Sequence, residues 1–273
     1  MELGGEKMSE EQLLSSVKNA LRILRSFSME EPEKKVNELA ESLEMNKSTV
    51  SRMMATLASE NFVYKDQKTK KYRLGMSALA LSGVASSQLD ISRESQSVLN
   101  ELVETIEETV HLSVLDQMEV MYLEKVECEQ PVRVLTHVGG RNPAYCTSAG
   151  KVILAFSDKT LTEKVISNGL TSYTEYTITD PKDLYDHLEQ IRESGYAYSI
   201  EELQEGVTSV AAPVFDHTGS IIAALSAVGP KQRFQPHKIP ILGKKISIAA
   251  AEISARLGHR TAANKEENFN NIF

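Results

Sequence analysis

The stretch VNELAESLEMNKSTVSRMMATLASENFVYKDQKTKKYRL, residues 36–74, decides the fold at the start of this chain. Val36, Leu39, Ala40 and Leu43 fall at i, i+3, i+4 and i+7, the spacing of one apolar helix face. Val50, Met53, Met54, Leu57 and Ala58 make a second such face. Between them Glu44-Met45-Asn46 is a three-residue break, and Asn46 or Ser48 is expected to cap the following helix through its side chain. Two amphipathic helices joined by so short a turn read as a helix-turn-helix. Thr49, Ser51, Arg52, Ala55, Thr56 and Ser59 remain on the outer face of the second helix, with no acid before Glu60. A helix entering a major groove needs short hydrogen-bonding side chains and an arginine able to fork onto guanine or phosphate. The alternative is an ordinary Ser/Thr-rich surface helix.

Phe62–Lys65 and Lys71–Leu74 then read as two short strands about the polar tip Asp66–Lys70, a basic hairpin that serves as a wing against phosphate. A solvated charged hairpin is its plain counterpart. Upstream, Val17, Ala20, Leu21 and Leu24 predict one more helix with an apolar stripe. The candidate DNA contacts are Arg22, Lys47, Ser48, Thr49, Ser51, Arg52, Thr56, Lys70, Lys71 and Arg73.

Charge supports that placement. The 273-residue chain carries a net −8, yet residues 45–73 hold seven basic groups against Glu60 and Asp66. A local basic segment on an acidic molecule is a phosphate-facing patch or a solvated face. The length suggests two domains, and 41% hydrophobic with 25% charged residues excludes a mainly disordered chain or a coiled-coil rod. The uncharged run 75–89 is too short for a membrane span, and the acidic start lacks an apolar signal region. Cys128 and Cys146 form no C-x-x-C, so a reduced, cytoplasmic protein is expected.

Residues 75–90, GMSALALSGVASSQLD, are expected to form a linker helix whose Met76, Leu79, Ala80 and Gly83 give a small smooth face suited to pairing between chains. Burial on its own domain is the alternative. From Ile91 the pattern becomes mixed. Helices are expected about 98–106, 149–156, 184–191 and 239–257, and strands at 110–115, 120–126, 196–200, 207–215 and 220–228. Sequential hairpins with interposed helices predict an α+β domain, an antiparallel sheet covered by helices, over 91–259. The ends, 1–13 and 260–273, are expected to be flexible.

Thr147-Ser148-Ala149-Gly150-Lys151 precedes an apolar helix, and small residues at a helix start leave N–H groups free to meet an anion. Both faces of strand 220–228 are apolar apart from Ser226, and Ser209 has a similar setting between Val207 and Ala211. Such hydroxyls bond to backbone or orient a ligand. No zinc spacing or nucleophile triad supports catalysis: Cys146 with His137 or His111 lacks a motif, and Gly150-Lys151 is not a phosphate-binding loop.

SVKNALRILRSFS (16–28), the stretch 36–74, GGRNPAYCTSAGKVILA (139–155), GYAYSIEELQEGVTSVAAPVFD (195–216) and GSIIAALSAVGP (219–230) together resemble the IclR-type bacterial transcription regulators. The resemblance implies a winged helix-turn-helix, a dimerising linker helix and a GAF-like effector domain. It implies effector contacts from Ser148, Ala149, Ser199, Val207, Ser209, Ser226 and Val228, with Val134 in the pocket wall. Some members carry an acid where Ser199 stands and a serine where Val228 stands, so this pocket is less polar and a small keto acid does not simply transfer. The expected function is a sequence-specific regulator, taken as a repressor, that binds a double-stranded operator as a homodimer or homotetramer and answers to a small organic anion. No cofactor, metal, catalytic residue or membrane partner is expected. An enzyme or a protein-interaction adaptor on the same fold is the alternative.

Overall fold

The computed structural model describes residues 14–259 except 30, 88, 89, 133 and 135. The expectations for 1–13, for 260–273 and for the last turn of the linker lie outside those residues. The chain divides into two compact units, Met1–Gln88 and Leu89–Phe273.

In the first unit α1 (Ser15–Arg25), α2 (Val36–Ser42) and α3 (Lys47–Ser59) precede the hairpin of β1 (Val63–Lys65) and β2 (Tyr72–Leu74), and α4 (Met76–Ser87) follows. Ile23, Phe27, Leu39, Val50, Met54, Val63 and Tyr72 form the core. Each large side chain so buried contributes about 1.5–3 kcal/mol. The α1 stripe differs from expectation. Val17 and Leu21 remain half-exposed, while Ile23 and Phe27 point inward. Ile23 on the helix and Phe27 just past its end enter the core with Leu39, Val50 and Met54, and Leu24 of the expected stripe packs against it. Val17 and Leu21 line an open apolar groove with Met53, Leu57, Phe62 and Leu81. The cap also differs: Asn46 precedes α3 but its side chain makes no capping bond. Its carbonyl accepts from Thr49 and Val50 instead, so a tightened main-chain turn satisfies the first donor.

In the second unit all strands of one six-stranded sheet run antiparallel in the order β5-β4-β3-β8-β7-β6. The strands are β3 (Thr109–Asp116), β4 (Glu119–Val126), β5 (Arg141–Pro143), β6 (Ala197–Ile200), β7 (Val207–Phe215) and β8 (Ile221–Pro230). On one face α5 (Asp90–Ile106) and α9 (Ile239–Arg256) cover Val110, Leu112, Val210, Ala212, Val214, Ala223, Leu225 and Ala227. On the other, α6 (Ser148–Phe156) and α8 (Pro181–Ser194) cover Ala197, Ala211 and Ala224, with α7 (Lys159–Ser167) outside them. This is the α+β architecture expected from the hairpin order. Period-2 alternation then sends His111, Ser209 and Ser226 toward the α6 face. Among the described residues no helix is long and apolar enough to cross a membrane, and no group of three His, Cys, Asp or Glu could hold a metal.

Candidate nucleic-acid interface and ligand cavity

On α3, Lys47, Ser48, Ser51, Arg52 and Thr56 are exposed and Thr49 is half-buried. Lys47 is the first residue of the helix. Thr56 donates to the Arg52 carbonyl at 3.1 Å, so its hydroxyl proton is already engaged. Arg52 has no ion-pair partner among the described residues, so its guanidinium is free to meet a duplex. Arg22 is engaged within the unit, where it donates to the Leu43 carbonyl at 3.3 Å and ties α1 to the end of α2.

The hairpin tip is set by Asp66, whose Oδ1 accepts from the Lys68 and Thr69 amides at 2.8 and 2.7 Å. Those amides hold its carboxyl below the usual range. Lys70 closes the turn at φ 59° and is exposed, and Lys71 is half-buried. Arg73 lies over the Tyr64 ring at 5.0 Å and Lys65 over Tyr72 at 5.2 Å. These stacks fix the roots of the wing and leave Lys68 and Lys70 at its tip. Lys34 extends the hairpin by pairing with Tyr72, an interaction that sequence reasoning missed.

In the second unit a cavity of about 140 Å³ lies between the sheet and the start of α6. All eight residues singled out in the sequence line it: Val134, Ser148, Ala149, Ser199, Val207, Ser209, Ser226 and Val228. Strand register explains the gathering. Ser199 pairs with Ser209, which pairs with Val228, so these three form one row across β6, β7 and β8. The neighbouring row runs Ala211, Ser226, His111. Above them sits the first turn of α6. Gly150 allows its close approach, since a Cβ there would meet the Ala144 carbonyl oxygen at 2.1 Å. Thr147 caps the helix by accepting from the Gly150 amide at 3.1 Å. The Ser148 and Ala149 amides are left with no acceptor within the helix. Ser148 donates to Ser209 Oγ at 2.8 Å, joining helix to sheet. Ser199 donates to the Cys146 carbonyl at 3.0 Å, so its hydroxyl is already engaged.

His111, Tyr122, Thr136 and Asn142 also line the cavity, and sequence reasoning missed them as ligand-facing groups. His111 Nε2 bonds to Thr136 Oγ1 at 2.6 Å, and Asn142 donates to the Tyr122 hydroxyl at 2.9 Å. Burial, reinforced by the nearby Lys125 ammonium, pushes the imidazole down to about 3, so His111 is neutral at physiological pH. Burial, with the Glu202 carboxylate beside it, pushes the Cys146 thiol up to about 12. A thiol so raised stays protonated at physiological pH, which argues against a Cys146–His111 nucleophile and base.

Comparison with known proteins reads the same two units. A model of the IclR helix-turn-helix domain matches residues 16–67, and one of the bacterial transcriptional regulator IclR C-terminal domain matches 84–255. The Escherichia coli HTH-type transcriptional regulator KdgR is 34% identical over 90% of this chain and 94% of its own. The HTH-type transcriptional repressor AllR of Salmonella typhimurium is 28% identical over 82% of each. A crystal structure of an IclR homologue from Microbacterium hydrocarbonoxydans, complexed with 4-hydroxybenzoate, superposes with a TM-score of 0.80 at 26% identity, covering 89% of this chain and 99% of that one. These matches set aside the enzyme and adaptor alternatives: the chain belongs to the IclR family of DNA-binding, effector-controlled bacterial transcriptional regulators.

Proposed function

We propose that this regulator is a cytoplasmic, dimeric repressor that reads its operator with α3 and the wing and is controlled by a small organic anion in the α6 cavity. The observation that carries the effector reading is the convergence of eight side chains from five separate stretches of sequence on one 140 Å³ space. That volume suits a compact metabolite. An anion is favoured by the two uncapped amides at the α6 start and by the lack of any Asp or Glu among the lining residues described. Neutral His111 and the Tyr122–Asn142 pair offer hydrogen bonds to the ligand's other end. The Microbacterium relative's 4-hydroxybenzoate has that chemistry, a carboxylate and a distal hydroxyl.

For DNA, Ser48, Thr49, Ser51, Arg52 and Thr56 face the bases, while Lys47, Lys70, Lys71 and Arg73 meet phosphate. Arg22 supports the α1–α2 junction and reaches phosphate only by giving up its Leu43 bond. Self-association is supported by α4, where Met76, Leu79, Leu81 and Val84 are all more than half exposed. A twofold operator demands two recognition helices. Repression is supported by the naming of AllR as a repressor. The test is a thermal-shift screen of small carboxylates, beginning with 4-hydroxybenzoate, on the wild type and Ala149→Leu. A carboxylate that stabilises the wild type and weakens its operator binding should do neither in the variant, which still binds the operator. A ligand response that survives Ala149→Leu overturns the assignment.

A further inference from the structure

One buried charge pair has no part in the cavity wall or the DNA face. Lys151, in the first turn of α6, is wholly buried, and its Nζ donates to Glu202 Oε1 at 2.5 Å. Glu202 is itself 6% exposed. The pair joins two elements that do line the cavity. Three and two residues before Lys151 stand Ser148 and Ala149, and just after Glu202 stand Leu203 and Gln204. The 201–206 segment is an irregular link between β6 and β7, with Gln204 and Glu205 exposed at its crest.

Among the described residues, the link's other hydrogen bonds do not reach α6. Glu201 sits at φ 58°, and its carboxylate binds Lys231 and the Gly206 amide. Thr174 and Thr177 donate to the Glu201 and Glu202 carbonyls, each at 2.6 Å. Among the described residues, only the Lys151–Glu202 bond runs from the link's side chains to the helix start that floors the cavity. Cys146, which also lines the cavity, lies within the field of both charges.

We propose that Lys151 and Glu202, neither of which touches the cavity, are positioning residues for effector recognition: they clamp the 201–206 link against the first turn of α6 and so set the distance between the ligand's wall and floor. The inference rests on the effector reading of this cavity, but its mechanical content is testable without a ligand. With the clamp in place Leu203 and Gln204 are held at the cavity that Cys146 also lines. With the clamp altered, the link opens locally while the sheet beneath stays intact.

The two cysteines separate these events. Cys146 lines the cavity, whereas Cys128 is equally buried elsewhere in the same unit and reports general unfolding. The full-length protein is treated with iodoacetamide and each cysteine's modification rate is read by peptide mass. Glu202→Asp keeps the charge but shortens the arm by one methylene. It is expected to raise the Cys146 rate tenfold or more, leave the Cys128 rate within twofold of wild type, and leave operator binding unchanged. Equal acceleration at both cysteines means the pair serves general stability, and no acceleration at Cys146 means it does not hold the link. Either result overturns the proposal while leaving the carboxylate screen to judge the effector reading by itself. Should Glu202→Asp fail to fold, Lys151→Arg, which keeps both charges and changes the reach between them, is read by the same criteria.

Discussion

Glu202→Leu strands an ammonium in a place no solvent reaches. Lys151 is 0% exposed in its side chain and its carboxylate partner 6%, so water cannot take over the lost interaction. Removing one member of such a buried pair costs about 3–5 kcal/mol, mostly the penalty of the charge left behind. For a unit of this size about 1 kcal/mol corresponds to 2–4 °C, so its melting transition should fall by about 6–20 °C. The pH dependence follows from the lysine. Burial already lowers the Lys151 pKa, and only the Glu202 charge and hydrogen bond, with a smaller part from Cys146, oppose that. With Glu202 gone, the folded-state pKa moves further below its unfolded value. Between the two values the unfolded chain binds more protons, so the variant's stability must rise with pH. The wild-type lysine is lowered as well, so the deficit shrinks as pH rises from the variant's folded-state pKa to the wild type's. Scanning calorimetry of the full-length protein at pH 7, 8.5 and 9.5 measures it, with exchange of the β7 and β8 amides identifying the transition. Lys151→Met/Glu202→Leu should return most of the loss at every pH. A deficit below about 1 kcal/mol at pH 7, or a variant whose own stability does not rise with pH, would refute this account of the pair.

Three other outcomes are expected. Arg52→Ala should lower discrimination between operator and random duplex by about 1–3 kcal/mol in competitive gel-shift titrations, with little effect on random-duplex affinity. Lys70→Ala with Lys71→Ala should weaken both duplexes alike and flatten the log K against log salt slope by about 0.9 for each phosphate no longer neutralised. Leu79→Glu, a charge on a residue 64% exposed in the single chain, should shift sedimentation toward monomer and weaken operator binding together; a tight-binding monomer would sink the pairing role of α4.

The strands and long helices are readable because their apolar patterns are set by burial. Residues 207–215 alternate between Val210, Ala212 and Val214 on one face and Ser209 and Ala211 on the other, and β7 spans that run. What escapes lacks such a pattern. β5 is only Arg141–Pro143, and its extended shape comes from pairing with Glu119–Met121 on β4. α7 does carry a legible signal, absent from the expectations above: Asp158 caps it by accepting from the Thr160 amide, ahead of the i, i+4 pair Leu161 and Val165. On α1 the pattern misleads in part: Val17 and Leu21 stay exposed while Leu24 packs against the core beside Ile23 and Phe27, an outcome set by tertiary packing.

The cavity shows the same division between local and tertiary information. Ser148, Ser209 and Ser226 stand out by local pattern, whereas Ser199, Val134, Val207 and Val228 are named through family resemblance, since Ser199, Ser209 and Val228 become one row only after three strands are in register. His111 has its own signal, a polar residue alternating with Val110 and Leu112 on a strand otherwise buried on both sides. Lys151 is the harder case. Within the run Ser148–Phe156 nearly every side chain is buried, so the one charge must find a partner inside or destabilise the helix. The sequence offers adjacent acids, Glu201 and Glu202, 50 and 51 residues away. Backbone conformation separates them: Glu201 at φ 58° presents its carboxylate to Lys231, and the next side chain turns inward to Lys151. The choice of partner is thus made by one left-handed residue in a turn, and the run of apolar neighbours around Lys151 fixes only that a partner must exist.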